Sequence, residues 1–148
     1  MSHTTKQILE YASTVAVVGT SRDAGKPSGH IPYLLQHRGY RIIPVNPNAG
    51  EILGEKTNAS LLDIREPVDV VDVFRPAAEA PGIARQAVAI GAKALWLQLG
   101  LKSDEARSIA EGAGLDYVDD VCMGKESIRL QIARTQKARL ARHDPTAE

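Results

Sequence analysis

An α/β fold, an open parallel sheet of about five strands with helices on both faces, is predicted by three observations. Short β-rich apolar runs alternate with longer stretches of helical periodicity along the chain. The apolar runs are continuous, as in Val15-Ala16-Val17-Val18, which suits strands buried on both faces of a parallel sheet. The chain has 148 residues, 43% of them hydrophobic, enough for one core without a disulfide or metal staple.

Each element has its own signals. The first strand, Val15 to Val18, stops at Gly19. A loop rich in Gly, Ser and Pro runs from Gly19 to Gly29 and enters a helix carrying Ile31, Leu34 and Leu35, closed by Gly39. Tyr40 to Val45 is the second strand, ended by Asn46-Pro47-Asn48. Residues 48–59 read as loop, and Ser60 caps a short helical turn. Pro67 precedes the third strand, Val68 to Phe74. Pro76 stands where a helix can begin, with Ile83, Ala84, Ala87, Val88 and Ile90 as its apolar stripe and Gly91 as its end. Lys93 to Leu99 is the fourth strand, ending at Gly100. Ser103 caps a helix whose first turn carries Asp104 and Glu105, matched to the positive end of the helix dipole. Leu115 to Val118 is the fifth strand, and a basic C-terminal helix is expected over about 125–142. Residues 1–148 are read as a single domain.

Composition excludes several functions. Eighteen basic residues balance eighteen acidic ones, which argues against a protein that coats nucleic acid or an anionic membrane. The balance is uneven: residues 1–124 hold 12 basic and 15 acidic side chains, residues 125–148 hold 6 and 3. The basic C-terminal helix leaves nucleic-acid contact as a minor alternative, while its apolar residues suit packing on the domain, a homodimer or a protein partner. A single cysteine, Cys122, excludes an internal disulfide framework and a cysteine-based zinc cluster, and no metal site is expected. Neither a signal sequence nor an apolar run near the roughly 20 residues of a membrane span is visible, so a soluble cytoplasmic protein is expected.

Ligands of open parallel sheets bind beyond the carboxyl ends of the strands. The loop after the first strand is therefore the first candidate. Gly19 permits a sharp turn and close backbone approach, Thr20 and Ser21 add hydroxyl groups, and Arg22 and Lys26 add two cations beside a helix start. This is phosphate-binding chemistry. The Walker pattern is absent, since Pro27 follows Lys26, and Ser21 and Ala24 stand where a dinucleotide fingerprint needs glycine. The second strand ends in Asn46-Pro47 without the carboxylate that usually accepts from a NAD ribose. These features favour a nucleotide with an additional phosphate. Coenzyme A and NADP both satisfy that, and charge alone does not separate them.

Longer motifs do. Val17-Val18-Gly19-Thr20-Ser21-Arg22, Lys26-Pro27-Ser28, Gly39-Tyr40-Arg41-Ile42-Ile43-Pro44-Val45-Asn46-Pro47, Glu51-Ile52-Leu53-Gly54-Glu55-Lys56, Val73-Phe74-Arg75 and Gly91-Ala92-Lys93-Ala94-Leu95-Trp96-Leu97-Gln98-Leu99-Gly100 resemble the small stand-alone CoA-binding proteins. Their fold is similar to the CoA-binding domain of the succinyl-CoA synthetase α subunit. The resemblance covers about residues 5–130 and implies a Rossmann-like domain whose cofactor is coenzyme A. It implies Gly19, Ser21, Arg22 and Lys26 around the phosphates, Asn46 and Pro47 near the adenosine, and Phe74, Arg75, Gln98 and Gly100 along the ligand groove; Thr20 and Pro27 complete the candidate set. It departs at Val121 and Ser127, where family members often carry Arg and His.

No catalytic set is visible. There is no nucleophile elbow and no clustered metal-ligand set, and Asp119-Asp120 reads as a solvated turn. The expected function is binding of coenzyme A or an acyl-CoA by a non-catalytic, regulatory module. The alternative is an NADP-dependent or acyl-CoA-metabolising enzyme component that needs a partner.

Overall fold

The computed structural model describes residues 2–48 and 50–133. Five parallel strands form the sheet: β1 (Thr14–Val18), β2 (Arg41–Val45), β5 (Val70–Val73), β6 (Ala94–Leu97) and β7 (Asp116–Val118), in the order β2-β1-β5-β6-β7. The register pairs Val17 with Pro44 on one side and with Asp72 on the other, and Asp72 in turn with Trp96. The fold is the predicted Rossmann-like α/β sheet, with β5 and β6 each three residues shorter than the apolar runs suggest.

Alternate residues of each strand feed two cores. One face buries Ala16, Ile43, Val71, Val73, Leu95 and Leu97 beneath α3 (Ala80–Ala89) and α4 (Asp104–Gly112). The other buries Val15, Val17, Ile42, Val70, Ala94 and Trp96 beneath α1 (Thr5–Tyr11), α2 (Pro27–His37) and α5 (Met123–Arg129). Trp96 is fully buried and its indole N–H donates to the Val121 carbonyl.

Three elements differ from the sequence-based expectation. Helix α1 was not predicted; Thr4 caps it, and its hydroxyl and the Gln7 side chain form a reciprocal capping box. The stretch read as loop over 48–59 contains a small antiparallel hairpin, β3 (Glu51–Ile52) and β4 (Glu55–Lys56), turned through Leu53 and Gly54 at φ 56° and 74°. The last helix starts two residues earlier than expected and stops at Arg129, because Gln131 adopts φ 55° and Leu130 and Ile132 fold onto the core beside α2. Arg38 holds that turn by donating to the carbonyls of Ser127 and Ile132. The rest of the predicted basic helix lies outside the described residues.

From β1 the chain crosses one way to β2, then back past β1 to β5. The switch point thus falls between β1 and β5, and their carboxyl ends open the crevice where ligands of such sheets bind.

Candidate functional site

The loop after β1 turns at Gly19, φ 90°, whose N–H donates to the Val45 carbonyl. A Cβ here would stand 2.9 Å from Arg75 Cδ and 3.1 Å from the Phe74 carbonyl oxygen, so the loops after β1 and β5 touch. Beyond Gly19 the loop knots onto itself. Ser21 N–H donates to the Ser28 carbonyl, Asp23 N–H to Ser21 Oγ, and Gly25 N–H to Asp23 Oδ1. A Cβ on Gly29 would lie 2.1 Å from the Asp23 carbonyl oxygen, so glycine alone fits where the loop passes over the start of α2. Helix α2 begins at Pro27, which has no N–H to satisfy, and Lys26 gives it no side-chain cap. That end therefore carries no side-chain cap, and Lys26 stands beside it, a setting that favours an anion.

Two clefts meet at this point. The first, of about 520 Å³, is lined by Gly19, Thr20, Ser21, Lys26, Asn46, Pro47, Phe74 and Arg75, with Asn48, Ser60, Glu79 and Gln86. The second, of about 730 Å³, shares Lys26, Phe74 and Arg75 and continues over Pro27, Ile31, Pro76, Gln98, Leu99, Leu101, Cys122 and Lys125. Together they form a bent groove across the carboxyl edge of the sheet, polar at the loop after β1 and largely apolar towards β6. Ten of the twelve sequence-predicted site residues line it.

The other two do not. Arg22 turns away: its Nε donates to the Glu51 carbonyl, and it lines a separate cavity of about 310 Å³ between α2 and the β3–β4 hairpin. Gly100, at φ 88°, lies beside the groove and donates its N–H to Asp120 Oδ1.

Within the groove, side chains expected to meet ligand are partly engaged by the protein. The buried Thr20 hydroxyl donates to the Val17 carbonyl at 2.6 Å. Asn46 donates to the Thr20 carbonyl and accepts from the Asn48 N–H, so it joins the loops after β1 and β2. Arg75 is exposed and paired with Glu79, whose carboxyl that contact holds below its usual range. An incoming phosphate would compete with Glu79 for Arg75. Gln98 is nearly buried, and its amide nitrogen donates to Oδ1 of Asp72 beneath the groove floor.

Several lining residues escaped the sequence reading. Glu79, in the 3-10 turn Ala77–Glu79 before α3, and Gln86, in α3 itself, carry no motif. Lys125 and Leu101 reach the apolar cleft by the folding of α5 and of the β6–α4 connection. Cys122, half-buried and unpaired, lines the same cleft. At the two departures, Val121 accepts from Trp96 through its carbonyl, and the buried Ser127 hydroxyl donates to the Gly124 carbonyl. Among the described residues no group of three or more His, Cys, Asp or Glu could hold a metal ion, and no helix is long and apolar enough to cross a membrane.

A family model described as CoA binding domain matches residues 13–127. The uncharacterized protein YneT of Bacillus subtilis is 37% identical over 118 residues, 80% of this chain and 87% of that protein. The ADP-forming acetate–CoA ligase II of Archaeoglobus fulgidus is 37% identical over 105 residues, 70% of this chain but 16% of the ligase. Among solved structures, cell-free ID.343 from Thermus thermophilus superimposes with a TM-score of 0.81 at 38% identity, covering 84% of this chain and 95% of that one.

Proposed function

The chain belongs to the CoA-binding domain family, and on that premise we propose that it binds coenzyme A or an acyl-CoA in the groove at the carboxyl edge of its sheet, as a non-catalytic binding or regulatory module. One observation carries the reading: a polar cleft at the phosphate loop and an apolar cleft beyond it meet at Lys26, Phe74 and Arg75. Coenzyme A has the matching halves, a phosphorylated adenosine with a pyrophosphate and a long, weakly polar pantetheine arm. Lys26 stands at the junction, where the pyrophosphate joins them.

Titration calorimetry should give saturable CoA binding. Lys26→Ala should weaken it about tenfold, the loss of one charge-assisted hydrogen bond. Arg22→Ala should weaken it less, since Arg22 faces the hairpin. Dephospho-CoA bound as tightly as CoA would remove the role of the 3′-phosphate. Native mass spectrometry of the freshly purified chain would identify any acyl group it retains.

A second reading makes the chain one component of an acyl-CoA-metabolising enzyme completed by a partner. The observation in its favour is that the chain spans only 16–19% of the acetate–CoA ligases it resembles. Acyl-CoA turnover, or hydride transfer from NADPH, by the chain alone would overturn the module reading.

A further inference from the structure

Asp72 stands in β5, the central strand of the sheet, with Val17 and Trp96 as its register partners. It is fully buried. One carboxyl oxygen accepts from Gln98, and the other has no hydrogen-bond partner. Such a group costs stability that valine in the same slot would not. Packing therefore does not account for it.

Gln98 connects it to the groove. Side chains alternate along a strand, so Gln98 shares a face with Trp96, and Phe74 shares that face with Asp72. Both Gln98 and Phe74 line the apolar cleft. Asp72 thus lies one layer below the floor. A carboxamide is planar, with its oxygen and nitrogen on opposite sides. With its nitrogen tied to Asp72, the Gln98 oxygen is turned away from the core, and among the described residues no hydrogen bond is made to it. It is a nearly desolvated acceptor in an otherwise apolar cleft. The pantetheine arm carries two secondary amides, and an amide N–H entering such a cleft needs an acceptor.

We propose that Asp72 is a positioning residue for the pantetheine arm: it holds the Gln98 carboxamide with its oxygen towards the groove, where that oxygen accepts from a pantetheine amide N–H. This rests on the CoA reading above. It adds a determinant outside the phosphate loop, specific to the half of the ligand that a plain nucleotide lacks.

The test compares coenzyme A with adenosine 3′,5′-bisphosphate, which has the phosphorylated nucleoside but no pantetheine. Gln98→Leu and Asp72→Val should each weaken CoA binding about tenfold, one hydrogen bond's worth, and leave the bisphosphate within about twofold. The double variant should be no weaker than either single one, because the two residues act as one unit. Asp72→Val should melt no lower than the wild type. Unchanged CoA affinity in either variant would overturn the proposal. So would parallel loss of both ligands with a falling Tm, the mark of a merely structural role. A wild type that binds neither ligand would instead remove the CoA reading itself.

Discussion

Asp72 also sets a pH dependence of folding. Desolvation is the largest influence on its carboxyl and pushes it up to about 7, against the hydrogen bond from Gln98. The folded-state value lies above the unfolded one, near 4, so the folded chain binds more protons between them and stability falls as pH rises from about 4 to about 7. Asp72→Asn removes this loss. Denaturant unfolding should show the variant gaining on the wild type by a few kcal/mol as pH rises through that window; a constant difference would refute the assignment. The glycines of the loop after β1 make a second test at this scale. Gly29→Ala drives a Cβ to 2.1 Å from the Asp23 carbonyl oxygen and should cost at least about 2 kcal/mol together with CoA binding. Gly25→Ala meets only the Asp23 side chain at 3.1 Å and should be nearly neutral. Sequence reasoning singled out Gly19, Ser21 and Lys26 as candidates because turn and charge are local properties. The special need for Gly29 was hidden, because it arises from a loop six residues away folding back over it.

At the scale of elements, α1 is anchored at the edge of the sheet opposite the groove. His3 contacts Asp116 through its ring at 2.7 Å and its backbone N–H at 2.8 Å, and Tyr11 donates to the same carboxylate at 2.9 Å. Thr5 donates to Glu126, joining α1 to α5. Removing the N-cap by Thr4→Ala should cost about 1 kcal/mol in thermal or denaturant unfolding and leave CoA affinity unchanged. A change in affinity would mean that the two edges of the sheet are coupled. The capping box of this helix was present in the sequence, but seven residues with two buried apolar positions are a weak periodic signal. The β3–β4 hairpin lacks the Asn-Gly or Asp-Gly turn that announces a two-residue connection, using Leu53 at positive φ instead. The end of α5 carries no glycine or proline. Packing of Leu130 and Ile132, with Arg38 on the freed carbonyls, ends the helix there.

At the scale of the whole molecule, a ligand that bridges the loops after β1, β2, β5 and β6 binds the folded state alone. CoA at one hundred times its Kd should stabilise the chain by about 2.7 kcal/mol, raising Tm by several degrees; adenosine 3′,5′-bisphosphate at the same multiple should do the same if both bind only the folded chain. No Tm shift with saturating CoA would contradict binding. The sequence by itself determined the layered α/β class, the order of the five sheet strands along the chain, and the loop after β1 as the phosphate candidate. Those properties follow from periodicity, turn residues and charge, each read within a few neighbouring positions. Only the tertiary structure decided the strand order across the sheet, and with it the switch point between β1 and β5. It also turned Arg22 out of the groove, engaged Arg75 with Glu79, and placed Asp72 beneath Gln98. Each of these depends on contacts between residues far apart in the chain or on competition between partners. A carboxyl in an apolar strand reads as an interruption until the fold shows what it holds.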